Sequence, residues 1–159
     1  METTTSTAAD RVDAVDPVDL ADAFFAVSHA LKRAINARVQ PTGLSLARLR
    51  VLYQLVAVDG IRLGELSTCV DVAPRTMTST IEAMERDGLV ERRPDPNDGR
   101  ATIVRITDAG RRSFAEGRRL QASVVADLFA ALDEDQQAVL ADALDHLARL
   151  AGASDIDAR

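Results

Sequence analysis

The 159-residue sequence has no tryptophan, one tyrosine and four phenylalanines. With so few rings, leucine, alanine and valine must fill the core, and that composition favours packed helices over sheet sandwiches. A single cysteine, Cys69, excludes an internal disulfide and fits a reducing compartment. No run of about 18 apolar residues occurs, so no transmembrane helix is expected. The opening stretch METTTSTAADRVDAVD has neither a basic start nor an apolar centre, so no secretory signal is expected. A cytoplasmic protein without membrane contact is the expectation. HExxH, GxSxG and Gly-rich phosphate-loop signatures are missing, so an enzyme is not expected. His29 and His146 lie too far apart in sequence for a metal-ligand spacing. The acids of DPNDG do not fit a calcium loop. Counted from Asp95, Gly99 stands fifth where the loop needs glycine sixth, and Ile106 stands twelfth where it needs glutamate. Neither a metal nor a cofactor is expected.

Lysine is nearly missing as well: 18 of the 19 basic residues are arginine. The net charge of −6 argues against a nucleic-acid partner until its distribution is considered. Residues 1–22 hold six acids and one arginine, and residues 133–159 hold seven acids and two arginines. The segment between them, 23–132, carries 16 basic and 12 acidic residues. A mildly basic centre rich in arginine, with its planar bidentate contacts, is compatible with DNA binding but does not establish it.

Helical patterns fill most of the chain. Residues 1–15 and 153–159 are expected to be disordered tails. Asp16 and Pro17 start a helix whose stripe runs Leu20, Phe24, Val27, Leu31, Ile35 and Val39, stopped by Pro41 and Gly43. Ser45 caps a second helix with Leu46, Leu49, Leu52, Leu55 and Val56 inside, ending at Asp59-Gly60. A short helix follows around Leu63, Leu66, Cys69 and Val70, with Cys69 read as a small buried hydrophobe. Pro74 opens the next helix, with core positions Met77, Ile81 and Met84 and Gly88 as its left-handed cap. RRPDPNDGRATIVRIT at 92–107 then reads as a hairpin that turns on PDPNDG. Two strands cannot stand alone and must lie on the helices. Thr107 caps a long helix over 107–132, and Asp133 with Gln136 forms a capping-box start to a last one, faced by Val139, Leu140, Ala143, Leu144, Leu147 and Leu150.

A short helix, a turn, a second helix and then a hairpin make a winged helix-turn-helix. The fold class expected is mainly α with a small β-hairpin wing. Residues 44–106 would form the DNA-binding lobe, and 16–43 with 107–152 a helical dimerisation lobe. The helix after Pro74 carries Arg75, Thr76, Thr78, Ser79 and Thr80 toward its N-terminal end, where a recognition helix meets base edges and the dipole favours phosphate. A solvated helix face explains this feature equally well. Glutamate would be the better helix former there, however, and acids arrive only at Glu82 and Glu85. PDPNDG alone is simply a good turn. Its arginines change that: Arg92, Arg93, Arg100 and Arg105 flank it, with Asp95 and Asp98 at the tip. An arginine at a hairpin tip can enter a minor groove, and a neighbouring aspartate can orient its guanidinium.

The stretch TMTSTIEAMERDGLVERRPDPNDGRATIVRITDAGR, with Glu65-Leu66 upstream, resembles the MarR family of bacterial transcription regulators. Asp98-Gly99-Arg100, Ile106-Thr107 and Ala109-Gly110 match that family's wing and its exit, with Ile106 in place of leucine. Glu85 to Val90 match the end of its recognition helix. The resemblance covers roughly residues 17–152. It implies a homodimer on double-stranded DNA at a pseudo-palindromic operator, a repressor role, and a small phenolic or lipophilic effector held between the lobes. His29, Arg33, Arg48 and Tyr53 are the candidate polar contacts for that effector. One branch of that family senses peroxide through a cysteine in the first helix, where this chain has none. The alternative reading is a winged helix used for protein–protein contact without DNA readout, supported only by the overall acidity.

Overall fold

The computed structural model describes residues 15–58 and 60–152. The chain runs α1 (Pro17–Val39), a single 3-10 turn at Gln40–Thr42, α2 (Leu46–Val56), β1 (Ile61–Arg62), α3 (Leu63–Val70), α4 (Pro74–Arg86), β2 (Val90–Asp95), β3 (Asp98–Ile106), α5 (Asp108–Phe129) and α6 (Glu134–Leu150). The expected tails at 1–15 and 153–159 lie outside the described residues, Val15 excepted, as does Asp59.

α1, α2, α5 and α6 start where short polar side chains satisfy first-turn amides that have no partner within the helix. Asp16 accepts from the Val18 amide, Ser45 from Arg48 and Thr107 from Gly110. Asp133 and Gln136 form the reciprocal capping box. Gly88 closes α4 at φ 73°, a backbone angle that favours glycine, and Leu89 folds back into the core behind it.

The core lies between α2, α3, α4 and the sheet. Leu52, Leu55, Leu66, Met77, Ile81, Met84 and Val104 are fully enclosed. Ile35 and Val39 from the end of α1 close one side, and Phe114, Leu120 and Val124 of α5 pack on it partly buried. In α2 Val51 joins Leu49, Leu52 and Leu55 in the core, whereas Val56 faces outward.

Two helices bury much less of their apolar stripes than the pattern predicts. In α1 only Ile35 and Val39 are buried, while Leu20 and Phe24 are about 60% exposed. No residue of α6 is buried, and Val139 and Leu150 are 71% and 72% exposed. Isolated exposed leucines are ordinary, but a 17-residue helix with most of its apolar face in water is not.

The hairpin is longer and better supported than the sequence pattern predicts. It belongs to a three-stranded antiparallel sheet of order β1-β3-β2. Its strands reach Asp95 and Asp98, so the turn is Pro96-Asn97 alone rather than the whole of PDPNDG. Pro94 is tolerated because β2 is an edge strand, and the register slips beside it, between Pro94 and Asp95. β1 adds only two residues, Ile61 opposite Val104 and Arg62 opposite Ile103.

Candidate nucleic-acid interface

The start of α4 is chemically open. Its N-cap, Ala73, makes no side-chain hydrogen bond, Pro74 has no amide hydrogen, and the first turn holds no acid. The free amides of that turn, at the positive end of a 13-residue helix, can take an anionic oxygen. Arg75, Thr76 and Ser79 are exposed there, and Thr78 and Thr80 are half-buried. Thr78, Ser79 and Thr80 donate back into the helix, to Pro74, Thr76 and Thr76 carbonyls. Each hydroxyl oxygen still has acceptor capacity on its outer side.

The wing stands beside this helix end. A cleft of about 270 Å³ is bounded by Arg62, Pro74, Thr78, Arg100 and Thr102. The fold therefore brings Thr78 and Arg100, 22 positions apart in sequence, to one opening. Among the described residues, Arg75 and Arg100 make no ion pair with any acid. Both keep their full charge for a partner.

The other wing residues take different places. Arg92 is tied to α4: Glu85 accepts from its backbone amide and, at 2.8 Å, from its Nε, and Glu82 lies 3.7 Å from it. It fastens the base of the wing to the helix. Arg93 makes an exposed pair with Glu91 at 2.9 Å, which is weak in water and easily exchanged for a phosphate. Arg105 sits half-buried at the base of the hairpin, opposite Glu91, and does not border the cleft. Asp98 orients Arg100 differently from the sequence expectation. Its carboxylate accepts the Arg100 backbone amide at 3.1 Å, not the guanidinium.

The pair that does orient a guanidinium was not legible in the sequence. Arg62 donates Nε and Nη2 to the buried Asp95 at 2.8 and 2.7 Å. Asp95 also accepts the Asn97 amide at 2.8 Å. That amide and the Arg62 guanidinium hold the Asp95 carboxyl below the usual carboxylate range, and Asp95 in turn raises Arg62.

A second cleft, of about 250 Å³, opens between α2, α3 and α5. Leu46, Leu49 and Phe114 supply its apolar wall, and Arg50, Tyr53 and Arg118 its polar rim. The Tyr53 and Phe114 rings lie 6.3 Å apart at 53°. Of the four effector candidates, only Tyr53 is here. His29 and Arg33 lie exposed on α1, and Arg48 is held by the Gly43 carbonyl and Asp87. The helical period places Arg50 and Tyr53 on one face of α2, but which face meets α5 is a tertiary fact.

Cys69 borders the same cleft and is exposed, which corrects the expectation of a buried residue. On α3 the buried positions are Leu66, Ser67 and Val70, and Ser67 tolerates this by donating to the Gly64 carbonyl. Cys69→Ser should therefore leave stability within about 0.5 kcal/mol of wild type in a urea titration, as for an ordinary surface change. A loss above about 2 kcal/mol would put the thiol back in the core. No cluster of three or more metal-ligating side chains occurs among the described residues, and no helix there is long and apolar enough to cross a membrane.

Comparison with known proteins identifies this arrangement. Residues 44–102, from the start of α2 through the wing, match the MarR family model. The uncharacterised HTH-type transcriptional regulator YdgJ of Bacillus subtilis is 30% identical over 103 residues, which are 65% of this chain and 63% of that relative, just under two thirds of its length. The crystal structure of apo MarR from E. coli superposes with a TM-score of 0.73 at 25% identity, over 80% of this chain and 95% of that one. Over this segment the chain is similar to the MarR family of regulators. A second MarR-like structure is the transcriptional repressor CouR, solved on a 23-mer DNA duplex, with a TM-score of 0.68 at 28% identity over 81% of this chain and 92% of its own. These three relatives are regulators or their structures, not enzymes.

Proposed function

We propose that this chain is a MarR-type regulator: a homodimeric, sequence-specific DNA-binding transcriptional repressor, released from its operator by a small aromatic acid or phenol. The observation that carries the DNA reading is the shared opening of the acid-free start of α4 and the wing arginine Arg100. The related CouR, bound to a duplex, supports it. The two α4 helices of a dimer would enter successive major grooves, about 34 Å apart, with the wings on the flanking minor grooves. The bare faces of α1 and α6 support the dimer. Residues 16–43 and 107–152 would then form the dimerisation lobe, and 44–106 the reading head.

The cleft of Arg50, Tyr53, Phe114 and Arg118 supports the effector. An apolar slot with two guanidiniums on its rim suits an aromatic carboxylate or phenolate. It lies where α5 meets α2, so a ligand that favours one arrangement of these helices changes the spacing of the two heads.

A salt-dependent titration tests the DNA reading. The dimer, with a duplex selected by it from a random pool, should lose affinity linearly in log salt, with a slope of about −0.9 per phosphate neutralised. A winged helix devoted to protein contact would bind no duplex at any salt. Light scattering over a dilution series should give twice the 17.1 kDa chain mass throughout. A folded monomer would leave α6 without its partner and defeat the dimer. A panel of benzoates and phenols that neither raises the melting temperature nor releases the duplex would remove the effector.

A further inference from the structure

The wing is fastened at both ends, and the two fasteners differ. At the base, Arg92 of β2 meets Glu85 of α4, both partly in water. At the tip, Asp95 is a carboxylate whose side chain is only 4% exposed, although it sits beside a surface turn. One of its oxygens takes the Asn97 amide, the other both Nε and Nη2 of Arg62. Arg62 is the last residue of β1, and β1 supports β3 only as far as Ile103. From Thr102 outward the wing is a two-stranded ribbon, which is marginal alone and readily twisted. The Arg62 side chain bridges that gap. It carries the support of β1 past the last backbone pair to the turn itself, and it does so from the residue that also begins α3.

We propose that Arg62 is a positioning residue for DNA recognition: through Asp95 it latches the wing tip to the helix-turn-helix and holds Arg100 at a set distance from the start of α4. The inference rests on the DNA-binding reading of the same cleft. A competing role is that Arg62 is itself a phosphate ligand, since its side chain is 46% exposed. Geometry favours the latch. The Nε edge and one Nη of the guanidinium are spent on a single carboxylate oxygen, and the pair is neutral as a unit. A neutral pair adds little to phosphate attraction, whereas a fixed tip decides whether Arg100 meets a groove.

The two roles give opposite signs for one variant. Asp95→Asn keeps an oxygen for the Asn97 amide and adds one positive charge to the DNA face. If Arg62 is a latch, the dimer should bind its selected duplex about ten-fold more weakly, within the range for losing a base-edge arginine, with the salt slope unchanged. If Arg62 is a phosphate ligand, the freed arginine should bind more tightly with a steeper slope, and the proposal is overturned. Arg62→Ala should match Asp95→Asn. In an Arg100→Ala background it should cost less than about two-fold, because the latch acts only through that residue. Full additivity would count against it. The double variant Arg62→Ala with Asp95→Asn leaves no buried charge and serves if Arg62→Ala alone folds poorly. Hydrogen exchange on the free dimer gives a readout without DNA: amides from 95 to 102 should exchange faster in each variant, while those of α4 at Met77–Met84 stay as in wild type. Unchanged exchange at the tip overturns the latch even if the wild type binds no duplex, and a wild type that binds none overturns the DNA reading alone.

Discussion

Gly110→Ala should destabilise this chain by about 3 kcal/mol or more, the upper range for overpacking a site that cannot yield. A methyl built at Gly110 would lie 2.1 Å from the Leu89 carbonyl oxygen, 3.0 Å from its carbon and 2.8 Å from Cγ1 of Ile106. The obstacle is backbone, and it is pinned. The Leu89 carbonyl already accepts the Thr107 amide and the Thr107 hydroxyl, and that same hydroxyl caps the Gly110 amide. Withdrawing α5 to make room breaks the cap, and moving Leu89 breaks the turn that Gly88 sets at the end of α4. Helix propensity works the other way, since alanine is favoured over glycine by roughly 1 kcal/mol inside a helix, and it does not compensate. Gly117→Ala is the control. Its methyl would meet Cδ2 of Leu49 at 2.5 Å and Cδ1 of Leu44 at 2.9 Å, both ends of side chains that can rotate. That change should cost about 1–2 kcal/mol. Urea titrations at one protein concentration measure both, since the stability of the proposed dimer would depend on concentration. Equal midpoints for Gly110→Ala and wild type would mean that α5 does not begin against Leu89, and the placement of the wing relative to α5 would be wrong.

What could be read beforehand follows how local each cause is. Caps act over three residues, so Asp16, Ser45, Thr107 and the Asp133–Gln136 box were legible. The Met77–Ile81–Met84 stripe was legible because α4 is amphipathic with one buried face. β1 was not, because two residues are too few to show alternation. Without β1 the partner of Asp95 stays hidden, since Arg62 lies 33 positions away. The exposure of Cys69 turns on one step around a short helix, where Ser67 takes the inner position that its polarity argues against. The stripes of α1 and α6 are legible as apolar, but in the proposed dimer what they pack on lies on the partner chain. Gly110 belongs to the family-like exit of the wing, and only the approach of Leu89 shows why no side chain fits there.

Arg100→Ala should weaken binding to the selected duplex by roughly 1–3 kcal/mol, about five- to 150-fold, the range for an arginine at base edges. Arg100 stands just beyond the Pro96-Asn97 turn, exposed and without an acidic partner among the described residues, while Arg92 and Arg93 are engaged with Glu85 and Glu91. It is thus the wing arginine with least to give up on meeting DNA. Its neighbour separates geometry from charge. Asp98 accepts the Arg100 amide through one oxygen. Asp98→Ala removes that tether together with a negative charge that repels phosphate, and binding should still weaken, by less than for Arg100→Ala. Asp98→Asn keeps the tether and loses the charge, and should bind at least as well as wild type. A wing acting by Coulomb attraction alone would bind better in both cases. Arg93→Ala should weaken all sequences about equally and flatten the salt slope by ~1, as for a phosphate contact. Thr78→Ala, at the start of α4, should instead change which duplex is preferred. Gel-shift titrations on selected and scrambled duplexes at two salt concentrations read all five variants. If Arg100→Ala holds the selected duplex as tightly as wild type, the hairpin does not read DNA, and the protein-contact reading of the winged helix takes its place.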